Sequence, residues 1–457
     1  MVIMVSIFPE SGILKIWQDY LPGMPNLLTD DGESVHIIYP GRINDDRGAD
    51  IRDAVIATSR GVLKGDVEIH VKSSNWYDHC HNQDPSYNRV ILHVVFWHDT
   101  KTPINLQNGL KVPTLELYKY IESQTNHFTE FGYPYTIRTM PCRRAIYNRD
   151  DVCVGKILDT AGQERFWAKA DDFKEKLSLI GAGQSLYRGI MAALGYTKNK
   201  HPMMELACRM SLIQLEGAVS GLTSDYESLV QYQALLMGMA GLLPSQRSKK
   251  YFASRQDDGW TEKLEEAWTL SGEKATMSDN DWHFFKVRPC NLPTRRIAAM
   301  SYILLRYREE GMLVGLINRL GMSLPNSDYR GLEQSLLVAA DSYWGKNLDF
   351  GIPIRGSVPA LLGKERTADI VINVLLPFAA AWGYTSSRPD ISGKMFELYR
   401  RYPALATNTL ENHMMHQLGI SRYLVNSAQR QQGLIHIYNT YCSQGRCHNC
   451  PLGEDVD

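Results

Sequence analysis

The chain has 457 residues, which at about 100–200 residues per domain corresponds to two or three domains. Hydrophobic residues make up 44% and charged residues 22%, a balance that excludes a disordered or collagen-like protein. The formal net charge of -1 excludes a general attraction to nucleic acid or anionic membranes, so any phosphate binding must come from a local patch.

No targeting or membrane segment is expected. The apolar N-terminal residues lack a basic flank and are interrupted by Pro9 and Glu10, which is not typical of a signal peptide. The longest apolar run, Ile370 to Trp382, is too short to cross a bilayer and predicts a buried core helix. We therefore expect a cytoplasmic protein without membrane association, whose oligomeric state the sequence does not indicate.

The first third of the chain predicts an α/β domain with a mixed sheet. Residues 10–22 place apolar side chains on one helical face, and Pro22 ends that helix. Residues 33–140 contain about four short runs rich in β-branched residues, which are typical of strands. The run VILHVVF (90–96) is almost continuously apolar, which favours a central strand.

Helical periodicity dominates from about Asp159 onward. The sequence therefore predicts an α+β protein in which an α/β domain over residues 1–155 is followed by a mostly α-helical domain over residues 156–457. A cysteine-rich knot that binds a metal would end the second domain.

A row of polar residues occurs in the segment DVEIHVK (66–72). Glu68, His70 and Lys72 alternate with apolar residues, so they lie on one face of a strand. Asp50 stands at the start of the preceding strand and could meet Glu68 around one Mg²⁺ or Mn²⁺ ion. His70 or Lys72 could then orient the attacking water or offset developing charge. The alternative is an ordinary solvated strand face.

Two more histidines follow in the segment WYDHCHNQD (76–84). His79 and His81 could bind a transition metal, act beside Glu68 and His70, or simply fix a loop.

The C-terminal cysteines are the strongest chemical signal in the chain. Cys442, Cys447 and Cys450 have the spacing of thiolates that share one metal ion or cluster. Their fourth partner could be Cys290, His448 or His436, and the metal could be zinc or a [4Fe–4S] cluster. The alternative is three free thiols in a frayed tail.

A basic group lies around Pro289 and Pro293. Lys286, Arg288, Arg295 and Arg296 could contact a nucleic-acid backbone, because guanidinium groups suit phosphate oxygens. The alternative is a solvated start of a helix.

Several phrases resemble an uncharacterised bacterial family known only as domain of unknown function 2851. They lie between residues 41 and 453 and include GRINDDRGAD, SLYRGIMAALGYTKNKHPMMELA and RQQGLIHIYNTYCSQGRCHNCPLG. This resemblance implies a family and no activity.

Residues 33–97 also resemble the core of the PD-(D/E)XK phosphodiesterase superfamily, which has a restriction-endonuclease-like fold. The resemblance implies that Asp50 and Glu68 hold a divalent cation, although Ala49 replaces the usual Pro and His70 stands where a Lys is expected. The ending RCHNCPLG resembles the iron–sulfur loop of DNA glycosylases of the endonuclease III type, and some PD-(D/E)XK nucleases carry such a terminal cluster.

Three hypotheses for the function follow. The leading one is a divalent-metal nuclease that acts on DNA or RNA, with Asp50 and Glu68 as metal ligands. The second is a non-catalytic nucleic-acid-binding or scaffold protein with a decayed site. The third is a hydrolase of a small polar substrate that uses His79 and His81.

Overall fold

A mixed seven-stranded sheet occupies the N-terminal part of the chain. The computed structural model describes residues 9–22, 24–25, 27–122, 140–247, 259–284, 287–323, 329–340, 342–357 and 359–453. The sheet strands are β1 (Leu27–Leu28), β2 (Ser34–Tyr39), β3 (Arg42–Ile43), β4 (Ile51–Thr58), β5 (Gly61–Lys72), β6 (Val90–Trp97) and β9 (Thr114–Glu116). A separate hairpin is formed by β7 (Ile104–Asn105) and β8 (Lys111–Val112). The predicted mixed sheet is therefore confirmed.

The sheet changes from antiparallel to parallel at β5. Its order is β1-β2-β4-β5-β6-β9, with β3 paired to β4. The pairs up to β4–β5 are antiparallel, whereas β5–β6 and β6–β9 are parallel. A strand with parallel neighbours on both sides is covered on both faces. This is why β6 is nearly all buried, as its apolar sequence predicts.

Helix α1 (Glu10–Asp19) packs its apolar face on this sheet. Ile13, Ile16 and Trp17 are buried in one cluster with residues of the central strands. The Trp17 indole donates a hydrogen bond of 2.7 Å to the carbonyl oxygen of Pro40. The helix predicted over residues 10–22 is confirmed, although it ends at Asp19.

The chain divides into two compact units, and the first unit is discontinuous. Unit 1 comprises residues up to Gly162, Thr407–Asn426 and Arg430 onward, and unit 2 comprises Gln163–Ala406 with Ser427–Gln429. The sequence placed the boundary at 155/156 and assigned the cysteine-rich end to the helical domain. The structure instead groups that end with the sheet, because its helices share a core with residues of β2 and β4.

Unit 1 contains short helices and the ends of the chain's longer ones. They are α2 (Asn75–Asp78), α3 (Tyr118–Glu122), α4 (Pro141–Tyr147), the start of α5 (Asp151–Ile180), α17 (Thr409–Leu418) and most of α18 (Ala428–Thr440). Arg430 on α18 makes a bidentate ion pair with Asp159 on α5, at 3.0 and 3.1 Å. Such a bidentate ion pair constrains the orientation of both side chains in addition to its electrostatic attraction.

Unit 2 is helical, with its own hydrophobic core. Its further helices are α6 (Ala182–Leu194), α7 (Lys200–Arg209), α8 (Leu212–Ala218), α9 (Asp225–Met239), α10 (Trp260–Ser271), α11 (Pro293–Arg306), α12 (Met312–Ser323), α13 (Tyr329–Leu336), α14 (Lys364–Ile370), α15 (Leu376–Thr385) and α16 (Pro389–Arg400). A small hairpin is formed by β10 (Asn347–Asp349) and β11 (Ile352–Pro353). The mostly helical second part of the chain is therefore confirmed.

One segment of the described chain is long and apolar enough to cross a membrane by length and composition. It runs from Lys364 to Thr385 and joins α14 to α15 through a π-helical turn at Val371–Leu375. In the structure 78% of its most apolar window is buried, as in a core helix.

Candidate functional site

Asp50 and Glu68 meet at the edge where β4 begins beside β5. The backbone N–H of Asp50 donates a hydrogen bond of 3.0 Å to Glu68 Oε2. In return, Asp50 Oδ2 accepts a hydrogen bond of 3.1 Å from the backbone N–H of Ile69. The two carboxyl groups therefore converge, although eighteen positions separate them in the sequence.

The loop before β4 holds Asp50 in place. The Asn44 side-chain amide donates to the carbonyl oxygen of Ala49 at 2.8 Å, and the Asn44 backbone N–H donates to that of Asp50 at 2.7 Å. Gly48 has a φ of +91°, and a Cβ there would lie 3.0 Å from the carbonyl oxygen of Ser86. The turn therefore favours glycine, because few L-residues adopt this backbone conformation.

Two histidines face the other oxygen of the Glu68 carboxyl group, and a third lies beside them. Glu68 Oε1 lies 3.1 Å from His81 Nε2 and 3.4 Å from His70 Nε2. His70 Nε2 is in turn 3.1 Å from His79 Nδ1. One ligand atom from each of the three histidines lies within 4.8 Å of the others. The polar face of β5 therefore contributes Glu68 and His70, and the loop that follows β5 contributes His79 and His81.

The loop after β5 turns back so that both of its histidines face the strand. Cys80, between them, has a left-handed backbone with a φ of 60°. The His81 ring stacks on Tyr87 with 3.9 Å between ring centroids. The Trp76 indole is fully buried and donates to the carbonyl oxygen of Asn105 at 3.1 Å. Aromatic packing therefore fixes the positions of these histidines.

His93 orients His70 from the neighbouring strand. The parallel register pairs Glu68 with His93, and His93 Nε2 lies 2.9 Å from His70 Nδ1. His93 is fully buried, and burial lowers its pKa well below the usual value. A neutral His93 therefore shares one proton with His70 Nδ1 and directs the other nitrogen of His70 toward Glu68.

Burial and nearby negative charges raise the pKa values of the two carboxyl groups. The pKa of Glu68 rises to about 8, mainly through burial. The pKa of Asp50 rises to about 7 through burial and then through the charge of Glu68. Burial lowers the pKa of His70 to about 3, with smaller contributions from His81 and His79. At neutral pH the imidazoles of His70 and His81 are neutral and Glu68 keeps a proton, which a bound cation would displace.

His81 Nε2 is buried and makes no hydrogen bond in the described part of the chain. The atom lies 3.1 Å from Glu68 Oε1 without forming a hydrogen bond to it. Unpartnered buried nitrogens are costly, and a cation between the two groups would relieve that cost. Ligand atoms of a tetrahedral zinc ion lie about 3.4 Å apart, since Zn–N bonds are about 2.0–2.1 Å long. These residues therefore fit a metal ion.

Sequence reasoning missed one acidic residue near this site. Glu10, at the first position of α1, raises the pKa values of both Asp50 and Glu68 through its charge. No local signal marks Glu10, since it lies forty positions before Asp50 and only the packing of α1 brings it near.

Lys72 is not brought into the cluster. It ends β5 as an exposed residue, and its backbone N–H donates to Asn75 Oδ1 at 3.1 Å. Among the described residues, the structure records no contact of its ammonium group with Asp50 or Glu68.

The prediction that Arg295 and Arg296 belong to a phosphate-binding basic patch is wrong. Arg295 is fully buried in unit 2 and donates to the carbonyl oxygens of Trp344, Asn347 and Pro359. Arg296 is 4% exposed and donates to the carbonyl oxygen of Leu361. These guanidinium groups are occupied by backbone carbonyls inside the helical core and cannot reach a phosphate.

Of the other two members of the predicted basic patch, Arg288 is exposed to solvent. Lys286 lies outside the described residues.

The structure adds a fourth candidate partner for the C-terminal cysteines beside Cys290, His448 and His436. Cys290 lies in unit 2, where its thiol faces Asn291 Oδ1 at 3.6 Å. His436 Nε2 lies 3.5 Å from the hydroxyl of Thr440 on its own helix. Cys142, on α4 of unit 1, instead shares a side-chain partner with Cys442, because the Gln417 amide lies 3.8 Å from Cys142 Sγ and 3.7 Å from Cys442 Sγ.

Comparison with known proteins identifies a family without a known activity. No curated protein and no solved structure matches the chain. The family model DUF2851, described as a protein of unknown function, matches residues 10–408, which include the whole carboxylate–histidine cluster. The chain therefore belongs to the DUF2851 family.

Proposed function

We propose that the protein is a metal-dependent hydrolase of phosphodiester bonds, with its ion held by Glu68 together with His70, His79 and His81. The observation that carries the proposal is the position of Glu68 Oε1, 3.1 Å from His81 Nε2 and 3.4 Å from His70 Nε2. The unpartnered state of the buried His81 nitrogen in the described chain supports it.

The ligand types favour a transition metal over Mg²⁺. Oxygen ligands alone suit Mg²⁺, whereas imidazole nitrogens suit Mn²⁺, Fe²⁺ or Zn²⁺. The sequence suggested Mg²⁺ or Mn²⁺ on Asp50 and Glu68. The three histidines favour Mn²⁺ over Mg²⁺ and make Zn²⁺ a further candidate. When bound, such an ion polarises the phosphoryl oxygen and lowers the pKa of a water molecule.

Asp50 is suited to take the proton from the attacking water. A general base works best when its pKa lies near the operating pH, and the pKa of Asp50 is about 7. The hydrogen bond from the Ile69 N–H holds one of its oxygens, Oδ2, and leaves Oδ1 for the proton. Glu10 and Glu68 add negative charge that would attract a second cation beside the first, as in two-metal phosphodiesterases.

The order of elements supports a nuclease-type reaction. An acidic residue at a strand start and an acidic residue on the adjacent antiparallel strand follow each other as in the restriction-endonuclease-like core. His70 takes the place of the usual Lys, and a neutral imidazole there serves better as a metal ligand than as a cation. We therefore assign His70 to ion binding.

Cleavage assays with a matched variant test the proposal. We expect cleavage of single- or double-stranded DNA or RNA, or of bis-p-nitrophenyl phosphate, with Mn²⁺ or Zn²⁺ and no cleavage in a chelator. Glu68→Gln should lower the rate at least 100-fold, because it removes a charged ligand. The control is Glu33→Gln, a residue of unit 1 that pairs with Arg60 and should keep full activity. Wild-type protein that is inert with both ions would contradict the proposal.

Direct ion binding separates a decayed site from an active one. Titration calorimetry should show Mn²⁺ or Zn²⁺ binding that His81→Ala weakens at least tenfold, whereas His36→Ala, on the exposed side of β2, should not change it. Ion binding without cleavage would instead favour the non-catalytic scaffold. Salt-sensitive nucleic-acid binding that Glu68→Gln leaves unchanged would point the same way.

The depth of the site favours a second candidate function. Glu68 is 4% exposed and His70 is 2% exposed, whereas His79 is the exposed member of the cluster. A site this deep also suits a small phosphorylated or other polar substrate that enters past His79. Chelator-sensitive hydrolysis of p-nitrophenyl phosphate, lost in His81→Ala and without nucleic-acid cleavage, would identify that activity.

A further inference from the structure

We propose that Cys142, Cys442, Cys447 and Cys450 together bind a [4Fe–4S] cluster in unit 1. The first residue comes from helix α4, and the other three come from the two short turns that follow α18. None of the four is in a disulfide bond. The proposal is independent of the carboxylate–histidine site.

The four cysteines lie in one region of unit 1. Cys442 and Cys450 are buried in one hydrophobic cluster, and Cys142 packs against the same cluster. Cys447 lies three positions before Cys450, in the same short turn. The Gln417 amide, within 3.8 Å of both Cys142 Sγ and Cys442 Sγ, places these two sulfurs on one side of the same polar group.

The thiols are enclosed by apolar residues. Cys442 and Cys450 are 6% and 5% exposed and belong to a core cluster with Tyr39, Val55 and Leu452. Four cysteine thiolates are the usual ligand set of a [4Fe–4S] cluster, and apolar surroundings of this kind keep water away from such a centre.

The turns that carry the three C-terminal cysteines are tightly built. Gly445 separates Cys442 from Cys447 with a φ of +67°, and a Cβ there would lie 2.7 Å from Val55 Cγ1. The N–H of Cys450 donates to the carbonyl oxygen of Cys447 at 3.2 Å. The Arg149 guanidinium, near the end of α4, donates to the carbonyl oxygen of Pro451 at 2.8 Å. This last contact ties the segment of Cys142 to the segment of Cys450.

No three of the described cysteine sulfurs lie as close together as a zinc ion requires, which favours a cluster over zinc. A tetrahedral zinc ion holds its thiolates about 3.8 Å apart, since Zn–S bonds are about 2.3 Å long. Among the described residues, the three histidines form a group of ligand atoms within 4.8 Å of one another. No three cysteine sulfurs form such a group there. Thiolates around a [4Fe–4S] cube lie further apart, because the cube itself separates them. Gln417 would then donate N–H···S hydrogen bonds, which tune a cluster's potential.

Metal analysis of the full-length protein tests the proposal without any variant. After anaerobic purification we expect about four iron and four sulfide ions per chain and the broad visible absorbance of a cubane cluster. Stoichiometric zinc without iron would overturn the proposal. So would a lack of iron and sulfide after anaerobic reconstitution with ferrous iron and sulfide.

Variants then assign the fourth ligand. Cys142→Ser should lose most of the iron and sulfide, whereas Cys290→Ser should keep the wild-type content. Full iron in Cys142→Ser, or loss of iron in Cys290→Ser alone, would overturn the assignment of Cys142.

Thiol labelling of the native protein gives the same assignment where a variant fails to fold. The exposed residues Cys153 and Cys208 should react with iodoacetamide at once, whereas Cys142 and Cys442 should react only after the iron is removed. Rapid labelling of Cys142 alongside Cys153 in the iron-loaded protein would contradict its role as a ligand.

Discussion

Glu68 is the residue at which the two halves of the proposed hydrolytic site join. One carboxyl oxygen accepts the Asp50 N–H, and the other faces His81 and His70. A carboxyl group held in this way is protonated in the metal-free protein and ionised when a cation binds. Its protonation state therefore links stability, pH and metal binding.

The metal-free protein should lose stability as the pH rises from about 5 to about 8. The pKa of Glu68 rises from 4.5 to about 8 on folding, and that of Asp50 rises from 3.8 to about 7. At a pH between the unfolded-state and folded-state pKa of a group, the folded protein keeps a proton that the unfolded protein has released. The free energy of unfolding therefore falls as the pH rises. The slope is about 1.4 kcal/mol per pH unit for each of the two groups until the pH passes its folded-state pKa.

Urea unfolding in a chelator, repeated across this pH range, measures the effect. Glu68→Gln should flatten the pH dependence, because it removes one titrating group, and Glu33→Gln should leave it unchanged. Wild-type stability that increases through this window would show that the two carboxyl groups are ionised in the folded protein.

Arg295 is a structural residue of unit 2. Its guanidinium donates to three backbone carbonyl oxygens and is fully buried. Arg295→Met should lower the free energy of unfolding by about 3 kcal/mol, because it leaves buried carbonyls without donors. The matched variant Arg288→Met, at an exposed position, should change it by about 0.5 kcal/mol or less. Denaturant midpoints compare the two, and equal effects would contradict the buried assignment.

Helices α9 and α10 pack so closely that one glycine is required between them. A Cβ on Gly238 would lie 2.2 Å from the Trp268 ring, which is itself packed in the core. Gly238→Ala should therefore destabilise unit 2 by about 1–3 kcal/mol. Gly217→Ala, in α8 of the same unit, meets no atom within 4 Å and should stabilise by up to about 1 kcal/mol. Thermal unfolding midpoints that move in the same direction for both would contradict this packing.

The sequence predicted those elements whose pattern is local. Helix α1 and strand β6 follow from apolar spacing alone, and the convergence of Asp50 with Glu68 follows from neighbouring strands. The burial of β5 was not predictable, because its polar face is covered by the loop histidines rather than by solvent. The alternation of polar and apolar residues predicts which side chains share a face of a strand. It does not predict which other part of the chain covers that face.

Partners that are far apart in the sequence could not be predicted. Cys142 lies in a different part of the chain from Cys442, and Glu10 stands at the start of a helix that any amphipathic pattern would produce. Arg295 and Arg296 follow a proline at a helix start, where charged residues are usually solvated. Each case depends on tertiary packing, which spacing does not encode.

At the scale of the whole molecule, the two units have separate hydrophobic cores. The core of unit 2 extends from Phe166 to Ala428 and contains no residue of the sheet. The sheet and the helices of unit 1 contribute three other clusters. Metal binding at the proposed sites of unit 1 would therefore stabilise clusters that are separate from the core of unit 2.

Calorimetry should show two unfolding transitions that respond to different changes. Mn²⁺ or Zn²⁺ at about 100 times its dissociation constant should stabilise unit 1 by about 2.7 kcal/mol and leave the transition of unit 2 in place. Arg295→Met should move only the other transition. A single transition that moves with both changes would show that the units unfold together.

The discontinuity of unit 1 has a consequence for biosynthesis. The chain leaves that unit at Gly162 and returns to it at Thr407, so Cys142 emerges from the ribosome 300 residues before Cys442. At about 5–20 residues per second, a nascent chain carries this thiol without its partners for about 15 to 60 s. If the four cysteines hold the proposed cluster, its loading follows translation of the helical unit, and iron content then measures the fraction of chains in which unit 1 has folded from both of its parts.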